Sequence, residues 1–232
     1  MTTTTPTDSS TLRIALIGAG NVARALGSRW AAAGHQIVIG ERSSGSAGRL
    51  ATQVGKAAAT AAPSDAARWA DVVLLAVPWA DLDDALALAG AADGALSGKV
   101  VIDPTNPVAH GDGRHLLEHG SAAENIAVRA PGAHIVKAFN VYPADHWKAA
   151  TAQDVVALAG DDDVALDTVG RLVRAVGAVP HTVGGLHRAR QIEELAGMVI
   201  ALAFAGIDPR ASVPGLSAGD GDVHARDAAD SA

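Results

Sequence analysis

The stretch Ile14-Ala-Leu-Ile-Gly-Ala-Gly-Asn-Val-Ala-Arg-Ala-Leu26 decides the fold. Four apolar residues read as a buried strand, the glycines as a turn, and Asn21 onward as a helix. Gly18, Gly20 and Ala23 fall on the three key places of the G-x-G-x-x-G/A dinucleotide fingerprint. The first glycine lets the chain turn sharply. The second leaves the backbone open to a pyrophosphate. The small third residue lets helix and strand pack closely. N–H groups at the helix start then face the phosphates, and the helix dipole favours their negative charge. Gly18, Ala19, Gly20, Asn21 and Val22 are therefore the first candidate cofactor-binding residues.

Working outward, strand and helix signals alternate. Strands are expected at Leu12–Ile17, Gln36–Ile39, Lys56–Ala59 (weak), Asp71–Val77, Lys99–Ile102, His134–Phe139, Asp154–Ala159 and Val179–Val183. Helices are expected at Asn21–Ala33, Ala47–Val54, Pro63–Ala70, Leu82–Ala92, Val164–Val176 and Leu186–Ala205, with Gly34 closing the first. This alternation implies right-handed βαβ units and a mainly parallel sheet. Near-continuous apolar strands suit a sheet covered on both faces. The expected class is α/β: a Rossmann-type, doubly wound domain over residues 11–207 with a small C-terminal helical extension. Residues 103–120, rich in Pro, Gly and His, read as a long loop, and such loops are often functional. Residues 1–10 and 208–232 are polar and aperiodic, and read as disordered ends.

With 232 residues the chain suits one large domain, at roughly 100–200 residues per domain. The formal net charge of -7, with no long basic run, argues against a nucleic-acid partner. There is no cysteine, which excludes disulfides, thiolate catalysis and Cys-ligated metal sites. The longest apolar run, Leu195–Gly206, is shorter than the roughly 20 residues of a membrane span. The Thr-rich start lacks a secretory pattern. A soluble, cytoplasmic protein is expected.

The end of the second strand bears on the cofactor. Glu41 stands where an acid would bind ribose hydroxyls and repel a 2′-phosphate. Arg42 could hold that phosphate, stack on the adenine, or be a solvated surface arginine. Ser43 and Ser44 could donate hydrogen bonds to it. NADP(H) and NAD(H) both stay open on these residues. Val77 and Pro78 follow the fourth strand, where doubly wound sheets hold ligands, and Trp79 either covers the cofactor or packs on the surface.

Several segments together resemble the family of NADPH-dependent deazaflavin (coenzyme F420) reductases, also called F420-dependent NADP oxidoreductases. They are Ile17-Gly-Ala-Gly-Asn-Val22, Ile39-Gly-Glu-Arg42, Ala76-Val-Pro78, Ile102-Asp-Pro-Thr-Asn-Pro107, Ile135-Val-Lys-Ala-Phe-Asn140 and Gly185-Leu-His-Arg-Ala-Arg-Gln-Ile-Glu193, in order over about residues 12 to 205. The resemblance implies direct hydride transfer between nicotinamide and a deazaflavin, or a flavin, as co-substrate. Such chemistry needs positioning more than a side-chain acid or base. On the same resemblance Pro78, Asn106, His134 and Asn140 sit near the rings, with Asn106, Asn140 and His134 forming the catalytic set; loop capping is the other role for the two asparagines. Where the family commonly has Ser or Thr, this chain has Glu41. Related architectures serve ferric reductases and dehydrogenases of β-hydroxyacids or imines.

Other clusters carry less. His110, Asp112, His115 and His119 lie close together, but no H-E-x-x-H motif is present, and a solvated loop without metal is expected. Asp161, Asp162 and Asp163 read as a helix cap. The adjacent Glu193 and Glu194 point different ways on a helix, so no paired-carboxylate chemistry is expected. Lys137 in mid-strand needs an acidic partner and reads as structural. The final helix, 186–206, is apolar nearly all round, which calls for burial against a second copy in a homodimer. One alternative function is reduction of a small carbonyl or imine, with His134 or Tyr142 as proton donor. Another is a non-catalytic dinucleotide sensor.

Overall fold

The computed structural model describes residues 11–40, 44–55 and 58–212. An eight-stranded sheet runs in the order β3-β2-β1-β4-β5-β6-β7-β8. Its strands are β1 (Arg13–Ile17), β2 (Gln36–Gly40), β3 (Ala58–Ala61), β4 (Val72–Leu75), β5 (Val100–Asp103), β6 (His134–Lys137), β7 (Val155–Gly160) and β8 (Val179–Gly184). The helices are α1 (Asn21–Ala32), α2 (Ser44–Val54), α3 (Pro63–Trp69), α4 (Leu82–Leu88), α5 (Ala122–Arg129), α6 (Asp163–Ala175) and α7 (Ala189–Phe204).

Successive strand residues point to opposite faces, so each central strand feeds two cores. Ile14, Leu16, Val72, Leu74, Ile102 and Val136 belong to one, with Trp30 and Trp147. Ala15, Ile17, Val73, Leu75, Val101 and Ile135 belong to the other. The Trp30 indole N–H, buried between α1 and α6, donates to the Leu172 carbonyl at 3.0 Å. That bond satisfies the one polar atom of the side chain.

β1 to β6 are parallel, whereas β7 pairs with β6 antiparallel, Val136 facing Gly160. β8 is parallel to β7. The reversal has a geometric result. β8 ends at the amino edge of the first six strands, so α7 climbs from that edge toward their carboxyl ends. The Leu186 N–H bonds Asp161 at its foot (2.7 Å), and Ile200 reaches the cleft at its upper end.

The expected class holds, and the boundaries shift. The weak third strand lies two residues later, at Ala58–Ala61. The fourth is only Val72–Leu75. The helix expected over Leu82–Ala92 stops at Leu88, and Gly90 turns with φ +73°. α5 was not expected. The final helix opens with a 3-10 turn, Leu186–Arg188. Rather than being covered all round, α7 leaves Leu195, Met198 and Phe204 exposed. Pro209–Ser212 forms a 3-10 turn where a disordered tail was expected; the rest of that tail and residues 1–10 lie outside the described residues.

Candidate functional site

The site starts at the turn after β1. Gly18 has φ +107°, and a Cβ there would run into the Ala76 carbonyl oxygen. Only glycine fits. Ala23 is fully buried beneath the turn. Gly20 differs from Gly18: its φ is -81°, and a Cβ would meet nothing nearer than the Ala76 oxygen at 3.9 Å. The protein itself does not require glycine there, so the bare backbone leaves room for an outside group. Gly20 caps α1 with no side-chain hydrogen bond, and the first turn carries no acidic residue. The leading N–H groups of α1 are thus directed outward at the positive end of a 12-residue helix. This arrangement fits a dinucleotide pyrophosphate.

A cleft of about 670 Å³ opens there, between β1 and β4, where the strand order reverses. Gly20, Asn21 and Val22 form one side, Val77, Pro78 and Trp79 the second, and Thr105 and Asn106 the floor. Val108, His110 and Leu116 of the 103–120 loop, with Ile200 of α7, form the outer wall. Of the expected cofactor residues, Gly20, Asn21, Val22, Val77, Pro78 and Asn106 meet at this cleft. Glu41, Arg42 and Ser43 lie outside the described residues.

Asn106 and Asn140 bond each other. The Asn106 amide donates to the Asn140 carbonyl at 2.7 Å, and the Asn140 amide donates to Asn106 Oδ1 at 2.8 Å. The second Asn140 N–H donates to the Ile192 carbonyl at 3.3 Å, and Asn140 lines a neighbouring hollow rather than the cleft, so Asn106 is the amide of the pair that faces the cleft with a donor to spare. Asn140 is delivered by a strained corner: Phe139 has φ +64°, costly for an aromatic residue, and is held between Trp30 and Trp147 with ring centroids 5.8 and 5.2 Å away.

Beneath the floor lies a charge network that sequence reasoning found only in part. Lys137, fully buried, pairs with Asp103 at 2.9 Å and Glu193 at 2.7 Å, as a buried lysine requires, and donates to the Thr105 carbonyl. Asp103 also accepts from the Thr105 backbone N–H (2.8 Å) and hydroxyl (2.7 Å), which fixes the residue before Asn106. Glu193 accepts from the Ala122 N–H at 3.0 Å and from His115 Nε2 at 2.9 Å. The side chain of His115, expected in a solvated loop, is therefore buried. Among the described residues no group of three or more acidic, His or Cys side chains could hold a metal ion. Asp162 caps α6, accepting from the Ala165 N–H at 2.7 Å.

His134 is not brought to the site. It is the first residue of β6, at the amino edge of the sheet, where its Nδ1 meets Asp162 at 3.3 Å. Ligand sites in such sheets lie at the other edge. Tyr142 stacks on His146 at 4.5 Å and lines a separate 110 Å³ hollow. Burial, and then the Asp154 charge, push its hydroxyl above the usual range. Among the described residues lining the cleft, His110 is the one titratable side chain.

Residues 13–107 match the family described as NADP oxidoreductase coenzyme F420-dependent. The F420-dependent NADP reductase of Methanothermobacter thermautotrophicus is 31% identical over 209 residues, covering 82% of this chain and 89% of that protein. The chain belongs to the F420-dependent NADP oxidoreductase family. Another relative is the metalloreductase STEAP3 of Rattus norvegicus, 29% identical over 185 residues; the match covers 79% of this chain but 36% of that protein. A crystal structure of a candidate F420-dependent NADP reductase from Arthrobacter sp. FB24 superposes with a TM-score of 0.73 at 27% identity, covering 85% of this chain and 96% of that one. Among the described residues no helix is long and apolar enough to cross a membrane.

Proposed function

We propose that this protein passes hydride between NADP(H) and a deazaflavin of the coenzyme F420 type. The observation that carries the reading is a cleft with a phosphate-accepting helix start at one side and no carboxylate or proton-donating pair among its described lining. When bound, the nicotinamide and deazaflavin rings supply the hydride-donating and hydride-accepting carbons. The chain's own residues position them. Gly20 and the first N–H groups of α1 receive the pyrophosphate. The residual donor and acceptor of Asn106, held in place by Asn140, orient a carboxamide or a ring edge. Pro78 and Trp79 give the cleft a stiff apolar side that limits water.

A carbonyl or imine reductase needs a proton donor; neither His134 nor Tyr142 lines this cleft, which leaves His110 on the outer wall as the one side chain for that role. An ordinary flavin is the second acceptor class, and NAD(H) the second nucleotide. Arg42, Ser43 and Glu41 are assigned the choice between nucleotides, with Arg42 holding the 2′-phosphate. We further propose a homodimer that covers the exposed face of α7, and a cytoplasmic location.

The test is oxidation of NADPH and NADH by the purified protein with F420, FMN or a cyclic imine as acceptor. Turnover of NADPH with F420 is expected. Reduction of the imine with no turnover of F420 would overturn the reading. Glu41→Ser should tighten NADPH binding relative to NADH, and unchanged affinities would remove Glu41 from that role.

A further inference from the structure

The loop that walls the cleft has no regular secondary structure to hold it. Val108 and His115 form an isolated bridge, and the Leu116 N–H bonds the Pro107 carbonyl at 2.7 Å. Two further contacts fasten it to α7. Gly113, at φ +68°, and Gly197 touch backbone to backbone, so closely that a Cβ on either would strike the other's carbonyl oxygen. Two residues past the Gly113 turn, the His115 ring enters the interior with 7% of its side chain exposed and meets Glu193. The Leu117 N–H donates to His115 Nδ1 at 3.2 Å, and Arg190 occupies the Leu117 carbonyl at 3.3 Å. Nδ1 also lies 3.2 Å from the Leu117 carbonyl, and Nε2, facing a carboxylate oxygen that accepts, carries the hydrogen donated to Glu193. Glu193 is itself held by Lys137 and the Ala122 N–H. The pin thus ends on the cluster that supports Thr105 at the cleft floor.

We propose that His115 and Glu193 are positioning residues for the hydride acceptor: they hold the 108–116 loop against α7 so that Val108, Leu116 and Ile200 form one wall for a flat ring. The proposal rests on the deazaflavin reading above. The dinucleotide side is built from the β1–α1 turn and the end of β4, which the pin does not touch. The acceptor half and the nucleotide half of the cleft should therefore respond separately.

His115→Ala is the informative variant, because Glu193 keeps Lys137 and the Ala122 N–H and is not left unpaired. His115→Gln carries an amide N–H where Nε2 stands and serves as the rescue. Three quantities are read on the full chain: the Kd for NADP+ by calorimetry, the Kd for oxidised F420 by fluorescence without turnover, and amide exchange at Gly113 and Leu116. In His115→Ala the F420 Kd and KM should rise roughly tenfold, the effect of losing one hydrogen bond to a charged group. The NADP+ Kd and kcat should stay within about twofold, both loop amides should exchange faster, and His115→Gln should recover most of the loss. Equal weakening of both ligands would reduce the pin to a structural role and overturn the proposal. So would faster loop exchange with an unchanged F420 Kd. A wild-type protein that neither binds nor reduces F420 would overturn the functional reading itself, and the acceptor assignment with it.

Discussion

Gly18 and Gly20 stand two residues apart, but the structure gives them opposite tasks, and alanine at each separates folding from binding. At Gly20 the backbone (φ -81°, ψ -170°) is open to alanine, and the added methyl meets only the Ala76 oxygen at 3.9 Å. The change at a helix cap costs at most about 1 kcal/mol. For a chain of this size that moves Tm by roughly 2–4 °C. The methyl instead occupies the space left for the pyrophosphate and withdraws one charge-assisted bond, worth about 1.5–3 kcal/mol. The Kd for NADP+ should rise roughly ten- to hundredfold. At Gly18 the backbone lies at φ +107°, where alanine alone costs about 1–3 kcal/mol. The collision with the Ala76 carbonyl adds to this, so Gly18→Ala should lose about 3 kcal/mol or more, or roughly 6–12 °C. Thermal unfolding by circular dichroism and calorimetric titration with NADP+ measure both. Gly20→Ala binding NADP+ as tightly as wild type would refute the argument. So would a Tm loss as large as that of Gly18→Ala.

Lys137→Met leaves Asp103 and Glu193 buried without their shared cation, and urea unfolding should show a loss of about 3–5 kcal/mol; a loss under 1 kcal/mol would refute the network's role. His35 accepts the Leu12 N–H at 3.2 Å, and burial together with the Arg171 charge lowers its pKa below the ordinary 6.5. The folded protein thus favours neutral His35, so its contribution is complete above that value and is lost as pH falls through the lowered one. Unfolding free energies between pH 8 and pH 5 should show this slope, and His35→Asn should flatten it; an unaltered slope would assign it elsewhere. Met198 and Phe204 are 60% and 68% exposed on α7. Met198→Asp should convert a dimer to a monomer in sedimentation, and a wild-type monomer at micromolar concentration would refute the dimer.

The strand, turn and helix start at one side of the cleft were legible because their logic is local: a strand, two glycines and a helix start lie within about a dozen consecutive residues. α5 escaped because its buried residues, Ala122, Ala123 and Ile126, include one large apolar side chain, too little for a periodic signal. Its start was nevertheless written in the Ser121-x-x-Glu124 pattern, since the Ser121 hydroxyl oxygen accepts from the Glu124 N–H at 3.1 Å. His115 and Glu193 are 78 positions apart, and nothing near either says that the other will bury it. Lys137 did announce a need for acids, without naming Asp103 or Glu193. The assignment of His134 to the rings ignored its place as the first residue of its strand. A residue entering a parallel strand lies at the edge away from the ligand.

The Gly113–Gly197 contact limits how this enzyme could be retuned. At this one point loop and helix bear on each other through main chain, so the spacing there has no side chain to trim or enlarge. Lengthening the loop or exchanging either glycine would lift the whole segment rather than reshape it. The side chains at 108, 116 and 200 remain free to vary, and a library built on those three positions would reshape this wall of the cleft without disturbing the frame.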